Sequence, residues 1–325
     1  MTLKKYLALT AGAYLLMVST VLAQQVTVDA GIPEYTPVQG ISGTLKSVGS
    51  DTMNNEMTLW AEGFRKFYPN VRIEVEGKGS STAPPALIAG TAQFGPMSRE
   101  MKDAEIADFK NAFGYPPTPV ATSIDMLAVY VHKDNPIQKL SLKDTDGIFS
   151  KTRSTGADNI TTWGQLGLSG EWSGKTISLY GRNSASGTYG FFKEHAIAKG
   201  DFKDSVKEQP GSSAVVQAVA SDKFGIGYSG IGYKTADVRA VPLSKTPPGK
   251  AIEPTPENVY SGDYPLSRIL YLYINMRPGT ELDPLPREFL RFILSRQGQQ
   301  VAVQDGYFPL TAALVAEQRK TLGLQ

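Results

Sequence analysis

The stretch YGRNSASGTYGFF, residues 180–192, joins a β-branched and apolar run to an aromatic run that suits a helix. In it Arg182 stands four residues before the run Ser186, Gly187 and Thr188. The first turn of a helix leaves backbone N–H groups without partners and carries about half a positive charge, so a small oxyanion is stabilised there. A guanidinium adds a two-pronged donor that suits phosphate or carboxylate. The stretch therefore predicts a strand-to-helix junction that binds an anion.

Two other junctions have a similar composition. The runs VGSDTMN and EGKGSSTAPP each place hydroxyl residues beside glycine, where a strand pattern gives way to a helical one. Their polar residues are Ser50, Asp51, Thr52, Ser80, Ser81 and Thr82. Hydroxyls add hydrogen-bond donors, but serine and threonine are also ordinary helix caps, so capping is the alternative at each junction. Three such junctions in one chain, one with an arginine, favour a shared anion site.

Short apolar runs alternate with helical ones from residue 43 onward. Strand patterns include GTLKSVGS, VRIEVEG, DMLAVYVH and LSRILYLYINM. Apolar residues at helical spacing follow the first of them, namely Met53, Met57, Trp60, Phe64 and Phe67. Residues 284–310, PLPREFLRFILSRQGQQVAVQDGYFPL, predict one further helix, and residues 244–263, rich in proline, glycine and charge, predict a surface connection. Strands joined by crossover helices are typical of α/β proteins, so we predict an α/β fold.

The order of these segments predicts two lobes. Residues 43–122 form the first part of lobe 1, residues 123–260 form lobe 2, and residues 261–325 return to lobe 1. A mature chain of about three hundred residues exceeds one ordinary core. A chain that leaves and re-enters one lobe links the two by crossing strands, which predicts a hinge. Residues 24–42 have little periodicity, and we interpret them as an N-terminal strap.

The N-terminus has the pattern of an export signal. Lys4 and Lys5 precede a mostly apolar run that closes at Ala23, so residues 1–23 are predicted to be a cleaved signal peptide, with an uncleaved anchor helix as the alternative. The chain has no cysteine, which excludes disulfides and a lipidated cysteine anchor. We therefore expect a soluble periplasmic protein without a lipid anchor, or a secreted one.

Charge and histidine content argue against several classes of function. Removal of the two signal-peptide lysines takes the formal net charge from +2 to 0, and a neutral chain gives no case for binding nucleic acid. His132 and His195 are the only histidines, so a histidine-rich metal site is impossible. No catalytic dyad is visible. We predict a protein with no catalytic residues, no metal and no cofactor.

The junctions also carry a family resemblance. The pattern R-x-x-x-S-G-T that begins at Arg182, the run G-S-S at residues 79–81 and the segment AGTAQFGPMS resemble the periplasmic phosphate-binding proteins that feed an ABC phosphate importer. ITTWGQLG and GSSAVVQAVASDKFGIGYSGIGY are similar to family segments too, and the likeness covers residues 43–315. The resemblance implies a two-lobe periplasmic-binding-protein fold of type II with a cleft at the hinge. It further implies a monomer, one inorganic phosphate, and an inner-membrane ABC phosphate permease as partner.

The resemblance implies which residues hold the ligand. Ser80 would donate from lobe 1, while the residues from Arg182 to Thr188 would donate from lobe 2. Asp51 and Thr52 fall on first-loop positions that contact the anion. The full set of predicted phosphate-binding residues is Ser50, Asp51, Thr52, Ser80, Ser81, Ser98, Arg182, Ser186, Gly187 and Thr188.

Two positions depart from the family pattern. Family members usually carry an aspartate where this chain has Ser98, and that aspartate accepts the proton of phosphate; they often carry an acidic residue where it has Ser184. Asp51 is the candidate replacement for the missing acceptor, with capping of the following helix as its alternative role. Three other functions stay open at this stage: a weak phosphatase, a binder of sulfate or arsenate, and a secreted interaction protein that uses residues 24–42.

Overall fold

Strands and helices alternate along residues 26–324, the part of the chain that the computed structural model describes. The predicted signal peptide, residues 1–23, lies outside this part. The elements of the first half are β1 (Gly43–Gly49), α1 (Asn54–Arg65), β2 (Val71–Gly77), α2 (Ala83–Ile88), β3 (Gly95–Met97), α3 (Asp103–Phe113), β4 (Thr118–His132), β5 (Leu140–Ser141) and α4 (Leu142–Phe149). Those of the second half are β6 (Ser178–Arg182), α5 (Gly187–His195), β7 (Lys207–Gln209), α6 (Ser212–Ser221), β8 (Gly225–Gly230), β9 (Val238–Ala240), β10 (Leu243–Ser244), α7 (Pro256–Tyr260), β11 (Ser267–Ile274), α8 (Pro284–Ile293), α9 (Arg296–Gln304) and α10 (Ala312–Thr321).

The main sheet has seven strands in the order β3-β11-β4-β8-β6-β7, with β9 beside β4. β11 runs antiparallel to β3 and β4, whereas β6 runs parallel to β7 and β8. β1 and β2 form a parallel pair that adjoins β3, because Val48 N donates to Phe94 O and Ser50 N donates to Pro96 O. The predicted α/β class is confirmed.

β4 and β11 cross between two hydrophobic cores. The first half of the fifteen-residue β4 pairs with β11, and its second half pairs with β8 and β9. Along β4, side chains pack in the first core up to Ile124 and in the second core from Met126 onward. Where the chain comes back through β11, Leu266 packs in the second core and Leu270 packs in the first. Two cores joined by two crossing strands make the predicted two-lobe fold. The lobe boundaries at residues 122 and 260 stay predictions.

Each lobe is held together by buried aromatic side chains. In lobe 1, Trp60 and Phe64 on α1 pack with Phe289 of α8, the two phenylalanine ring centroids lying 5.2 Å apart. In lobe 2, Phe192 of α5 stacks on Tyr228 of β8 at 3.9 Å. Full burial of one large apolar side chain contributes about 1.5–3 kcal/mol, so these clusters fix α1 and α5 at the positions from which both helices reach the cleft.

Residues 28–42 pack against the core of lobe 1, whereas Val26 packs against the second core. Ile32 and Tyr35 are buried in its core, and the Tyr35 hydroxyl donates to Glu288 at 3.0 Å. Arg296 at the start of α9 donates to the carbonyl of Ala30 at 2.7 Å. These contacts pack the segment against the lobe 1 surface.

Three local predictions differ from the structure. Residues 284–310 form two helices and not one, because the Ser295 hydroxyl accepts a hydrogen bond from Gly298 N and begins α9. Phe67 lies beyond the end of α1, and Tyr68 takes the buried position there. The connection at residues 244–263 contains α7. None of the helices within residues 26–324 is long and apolar enough to cross a membrane.

Candidate anion-binding site

Three buried serines meet at the carboxyl ends of β1, β2 and β3. Ser50 follows β1, Ser80 opens a short 3₁₀ turn after β2, and Ser98 follows β3. Ser50 Oγ donates to Ser98 Oγ at 3.0 Å, and Ser98 N donates to Ser80 Oγ at 3.1 Å. The bridge between β1 and the start of β3 is parallel, as is the pairing of β1 with β2, so the ends of the three strands lie at one edge. Lobe 1 therefore presents a cluster of hydroxyls to the cleft.

The N-terminus of α5 in lobe 2 contacts this serine cluster. A Cβ atom added to Gly187 would overlap the hydroxyls of Ser80 and Ser98, so only glycine permits this approach. The Thr188 hydroxyl lies 2.8 Å from that of Thr52, across the cleft. The first and third predicted junctions thus meet between the lobes.

Ser186 and Ser81 have more ordinary hydrogen bonds. Ser186 Oγ accepts from the N–H groups of Thr188 and Tyr189 at 3.1 and 3.3 Å, so it is the cap of α5. The Ser81 hydroxyl accepts a 3.4 Å hydrogen bond from Arg99, whose guanidinium also forms a two-pronged ion pair with Glu105. Ser81 N also donates to the carbonyl of Ala185 across the cleft, and neither serine hydroxyl has a hydrogen bond to the serine cluster among the described residues.

Arg182 is a buried cation at the end of β6, with its side chain 2% exposed. Its Nη1 donates to Ser212 Oγ at 2.8 Å, and its Nη2 lies 3.3 Å from Asp51 Oδ2. Among the residues that the structure describes, the buried Nε has no hydrogen-bond partner. Burial lowers the pKa of the guanidinium while Asp51 raises it, and a guanidinium stays charged under either influence. Arg182 therefore combines a buried charge with a spare donor.

Asp51 reaches from lobe 1 to the start of a helix in lobe 2. Its Oδ2 accepts a 2.9 Å hydrogen bond from the backbone N–H of Ser212, the first residue of α6. The alternative that Asp51 caps the helix after it is wrong, because α1 begins at Asn54 with no side-chain cap. Asp51 and Ser212 instead join the two lobes beside Arg182.

Asp125 and Arg268 adjoin the site, although neither is among the site residues predicted from the sequence. They are register partners on β4 and β11, and Arg268 Nη2 lies 2.7 Å from Asp125 Oδ2. Burial raises the pKa of the Asp125 carboxyl, and the adjoining guanidinium opposes that rise. Arg268 also donates to Thr188 Oγ1 at 3.0 Å and to the carbonyl of Ser98 at 2.8 Å. The sequence did carry one signal for this pair: each residue is a single charge in an otherwise apolar strand pattern. A charged residue is rarely buried in a strand unless it is paired.

The groups that converge here suit an anion better than a cation. Hydroxyls, backbone N–H groups and a guanidinium donate hydrogen bonds, and oxyanions accept them. Among the described residues, Asp51 is the one carboxylate that pairs with Arg182. Within residues 26–324, no group of three or more histidine or acidic side chains is arranged to hold a metal ion.

Comparison with known sequences finds close relatives. Residues 36–297 match the model of the PBP superfamily domain. The chain is 53% identical over 298 residues to the phosphate-binding protein PstS of Pseudomonas aeruginosa, and the matched region covers 91% of this chain and 92% of the relative. It is 30% identical over 270 residues to the phosphate-binding protein PstS of Staphylococcus haemolyticus, covering 82% of this chain and 81% of the relative.

Solved structures agree with this relationship. A phosphate ABC transporter substrate-binding protein from Clostridium perfringens, crystallised with bound phosphate, superposes with a TM-score of 0.70 at 27% identity and covers 83% of this chain and 100% of its own. An ABC-type phosphate transport receptor from Vibrio cholerae shares the fold, with a TM-score of 0.65 at 22% identity over 82% of this chain and 100% of its own.

Proposed function

The chain belongs to the PstS family of phosphate-binding proteins within the PBP superfamily, and from this premise we propose that it captures inorganic phosphate between its lobes for an ABC phosphate permease. The observation that carries the proposal is Arg182, a buried guanidinium whose Nε finds no partner within residues 26–324, at the point where hydroxyls of both lobes converge. A buried donor without an acceptor is unfavourable, and a bound oxyanion supplies that acceptor.

The donors divide between the lobes. From lobe 1, the hydroxyls of Ser50, Ser80 and Ser98 now bond to one another and can rotate toward a ligand, because a hydroxyl hydrogen has no fixed direction. From lobe 2, Arg182 supplies the charge and the N-terminus of α5 at Gly187 supplies backbone N–H groups. The oxygens of a tetrahedral anion can accept hydrogen bonds from the donors of both lobes at once. Closure of the lobes on phosphate then removes it from water.

The remaining predicted residues have supporting roles in this proposal. Thr52 and Thr188 contribute hydroxyls on either side of the cleft, Asp51 faces Arg182, and Ser81 and Ser186 shape the turns that carry Ser80 and Gly187. In this proposal the predicted boundaries are kept: lobe 1 comprises residues 43–122 and the return from residue 261 onward, and lobe 2 comprises residues 123–260.

Binding is the function that the relatives carry in their names, since both are phosphate-binding proteins, and the proposal for this chain is binding without catalysis. The finer parts of the proposal are a monomer in the periplasm and docking on an inner-membrane permease. They are supported by the signal-like N-terminus and by the relative from Clostridium perfringens, a substrate-binding protein of a phosphate ABC transporter.

Calorimetry on protein that has been unfolded, dialysed and refolded tests the proposal, since tightly bound phosphate would otherwise hide the site. We expect one phosphate per chain, weaker or absent binding of sulfate, and no turnover of a chromogenic phosphate ester. A refolded protein that ignores phosphate would contradict the proposal. Competition by arsenate and sulfate in the same cell separates phosphate from the other oxyanions that the sequence leaves open.

A further inference from the structure

Arg268 occupies the crossing point of the two lobes. It lies on β11 directly opposite Asp125 on β4, at the level where both strands pass from one hydrophobic core to the other. Its side chain is 2% exposed and that of Asp125 is fully buried. Two hydrogen bonds, from Nε at 3.0 Å and Nη2 at 2.7 Å, hold the guanidinium on Asp125 Oδ2. The planar group therefore has a fixed direction.

The remaining donors of Arg268 reach one residue of the candidate site in each lobe. Nη1 donates to the Ser98 carbonyl, which belongs to the lobe 1 serine cluster, and Nη2 donates to Thr188 Oγ1 on α5 of lobe 2. The guanidinium carbon also lies 5.3 Å from the ring centroid of Phe191, one turn further along α5. Arg268 thus holds the first turn of α5 against lobe 1.

The hydrogen bond from Arg268 constrains the proton of Thr188. A hydroxyl has one donor and two acceptor positions, and an arginine can only donate. Since Thr188 accepts from Arg268, its own hydrogen must be directed elsewhere. The available direction includes the Thr52 hydroxyl, 2.8 Å away across the cleft. Thr188 can therefore donate on the side where the lobes meet.

We propose that Arg268 is a positioning residue for phosphate, which directs the Thr188 hydroxyl toward the anion and holds the start of α5 in the closed arrangement. This inference rests on the proposed function. Asp125 neutralises most of the charge of Arg268, so the residue acts through Thr188 and Ser98 and not by attracting the anion from a distance.

The substitution Arg268→Lys separates position from charge. An ammonium keeps the charge and can pair with Asp125, but it lacks the planar fork that reaches Asp125, Ser98 and Thr188 together. We expect a folded protein whose phosphate affinity falls about tenfold, mainly through faster release, because one oriented hydrogen bond is lost. Calorimetry gives the affinity, stopped-flow release into a phosphate scavenger gives the rate, and urea unfolding without ligand reports the fold.

A double-mutant cycle identifies Thr188 as the intermediary. In a Thr188→Val background, Arg268→Lys should affect phosphate affinity much less, because only the contacts with Ser98 and Phe191 remain, whereas in a Thr188→Ser background, which keeps the hydroxyl, the full loss should persist. Should Arg268→Lys fail to fold, Asp125→Leu/Arg268→Met replaces the buried pair by apolar residues, which often preserves stability, and the same loss of affinity is expected.

Each outcome decides the inference. Wild-type affinity in folded Arg268→Lys or in Asp125→Leu/Arg268→Met overturns the positioning role and leaves the proposed function intact. An equal loss in the Thr188→Val and Thr188→Ser backgrounds overturns the route through Thr188. A wild-type protein that does not bind phosphate contradicts the proposed function itself, and the positioning role with it.

Discussion

Arg182 and Arg268 are both buried arginines at the cleft, but their surroundings differ. Arg268 is held by the fully buried Asp125 and has partners for its Nε and both Nη groups. Arg182 faces Asp51, whose side chain is 24% exposed, at 3.3 Å, and its Nε has no partner among the residues that the structure describes. An arginine whose donors are all satisfied organises the fold, whereas one with a spare donor is available to a ligand.

The difference follows from where each residue lies. Arg268 lies within β11, and its charge partner Asp125 is the residue opposite it on β4, so this ion pair is present as soon as the sheet forms. Arg182 is the last residue of β6, at the edge where parallel strands end and the lobes separate. Ligands of open α/β sheets bind at such carboxyl ends. Four predictions test the contrast, beginning with the largest expected effect.

Removal of Arg268 alone should reduce stability most. Arg268→Met leaves Asp125 as a buried carboxylate without its cation, and breaking a buried pair in this way costs about 3–5 kcal/mol. Urea unfolding without phosphate measures the change in the free energy of unfolding. Asp125→Leu/Arg268→Met is the matched control and should recover most of the loss. If the double variant is no more stable than the single one, the Asp125 charge is not what destabilises the protein.

Removal of Arg182 should instead reduce affinity. Arg182→Ala takes the charge from one side of a buried ion contact, and we expect a loss of about 2–5 kcal/mol in phosphate binding. Asp51, the partner left behind, is partly exposed and can be hydrated, so the unfolding free energy should change less than in Arg268→Met. Calorimetry with Ser80→Ala as control, expected to lose about 1 kcal/mol, provides the comparison. Similar losses for the two variants would mean that Arg182 does not contact the anion.

The same contrast explains what the sequence could reveal. The three junctions and Arg182 were predictable because each is local: a strand ends, glycine and hydroxyl residues follow, and a helix begins. The α/β fold follows from the same alternation and is confirmed. The pair Asp125 and Arg268 was not predictable, because its two residues are 143 positions apart and meet only through the register between two strands. The contact of Asp51 with Ser212 N requires the lobes to be packed together, which local patterns do not encode.

A methyl group at the start of α5 should separate the two lobes. Gly187→Ala places a Cβ against the hydroxyls of Ser80 and Ser98, so closure is hindered while folding of each lobe is not. Overpacking of this kind costs about 1–3 kcal/mol, and we expect it to appear in phosphate affinity. Calorimetry measures the loss, and small-angle X-ray scattering should show a wider separation of the lobes.

The control for that variant lies on the same helix. In Gly190→Ala the new Cβ would lie 3.2 Å from Cδ of Arg99, a contact that a shift of a few tenths of an ångström relieves. Both variants gain the helix propensity of alanine, so propensity does not distinguish them. Equal affinities in the two variants would show that Gly187 is not where the lobes close.

The smallest expected effect concerns Asp51. Its carboxylate lies next to Arg182, the arginine with a spare donor, so it tests the contrast between Arg182 and Arg268 from the side of the ligand. A carboxylate beside a bound anion is repelled unless it accepts a proton; phosphate carries one near neutral pH, and sulfate does not. Asp51→Asn should therefore weaken phosphate binding by about 1 kcal/mol, through loss of that acceptor, and strengthen sulfate binding, because the amide can donate. Competition of sulfate against labelled phosphate measures the ratio from mildly acidic to mildly alkaline pH. A ratio that stays at the wild-type value throughout would leave Asp51 only its contact with Ser212 N, as a link between the lobes without influence on which anion they hold.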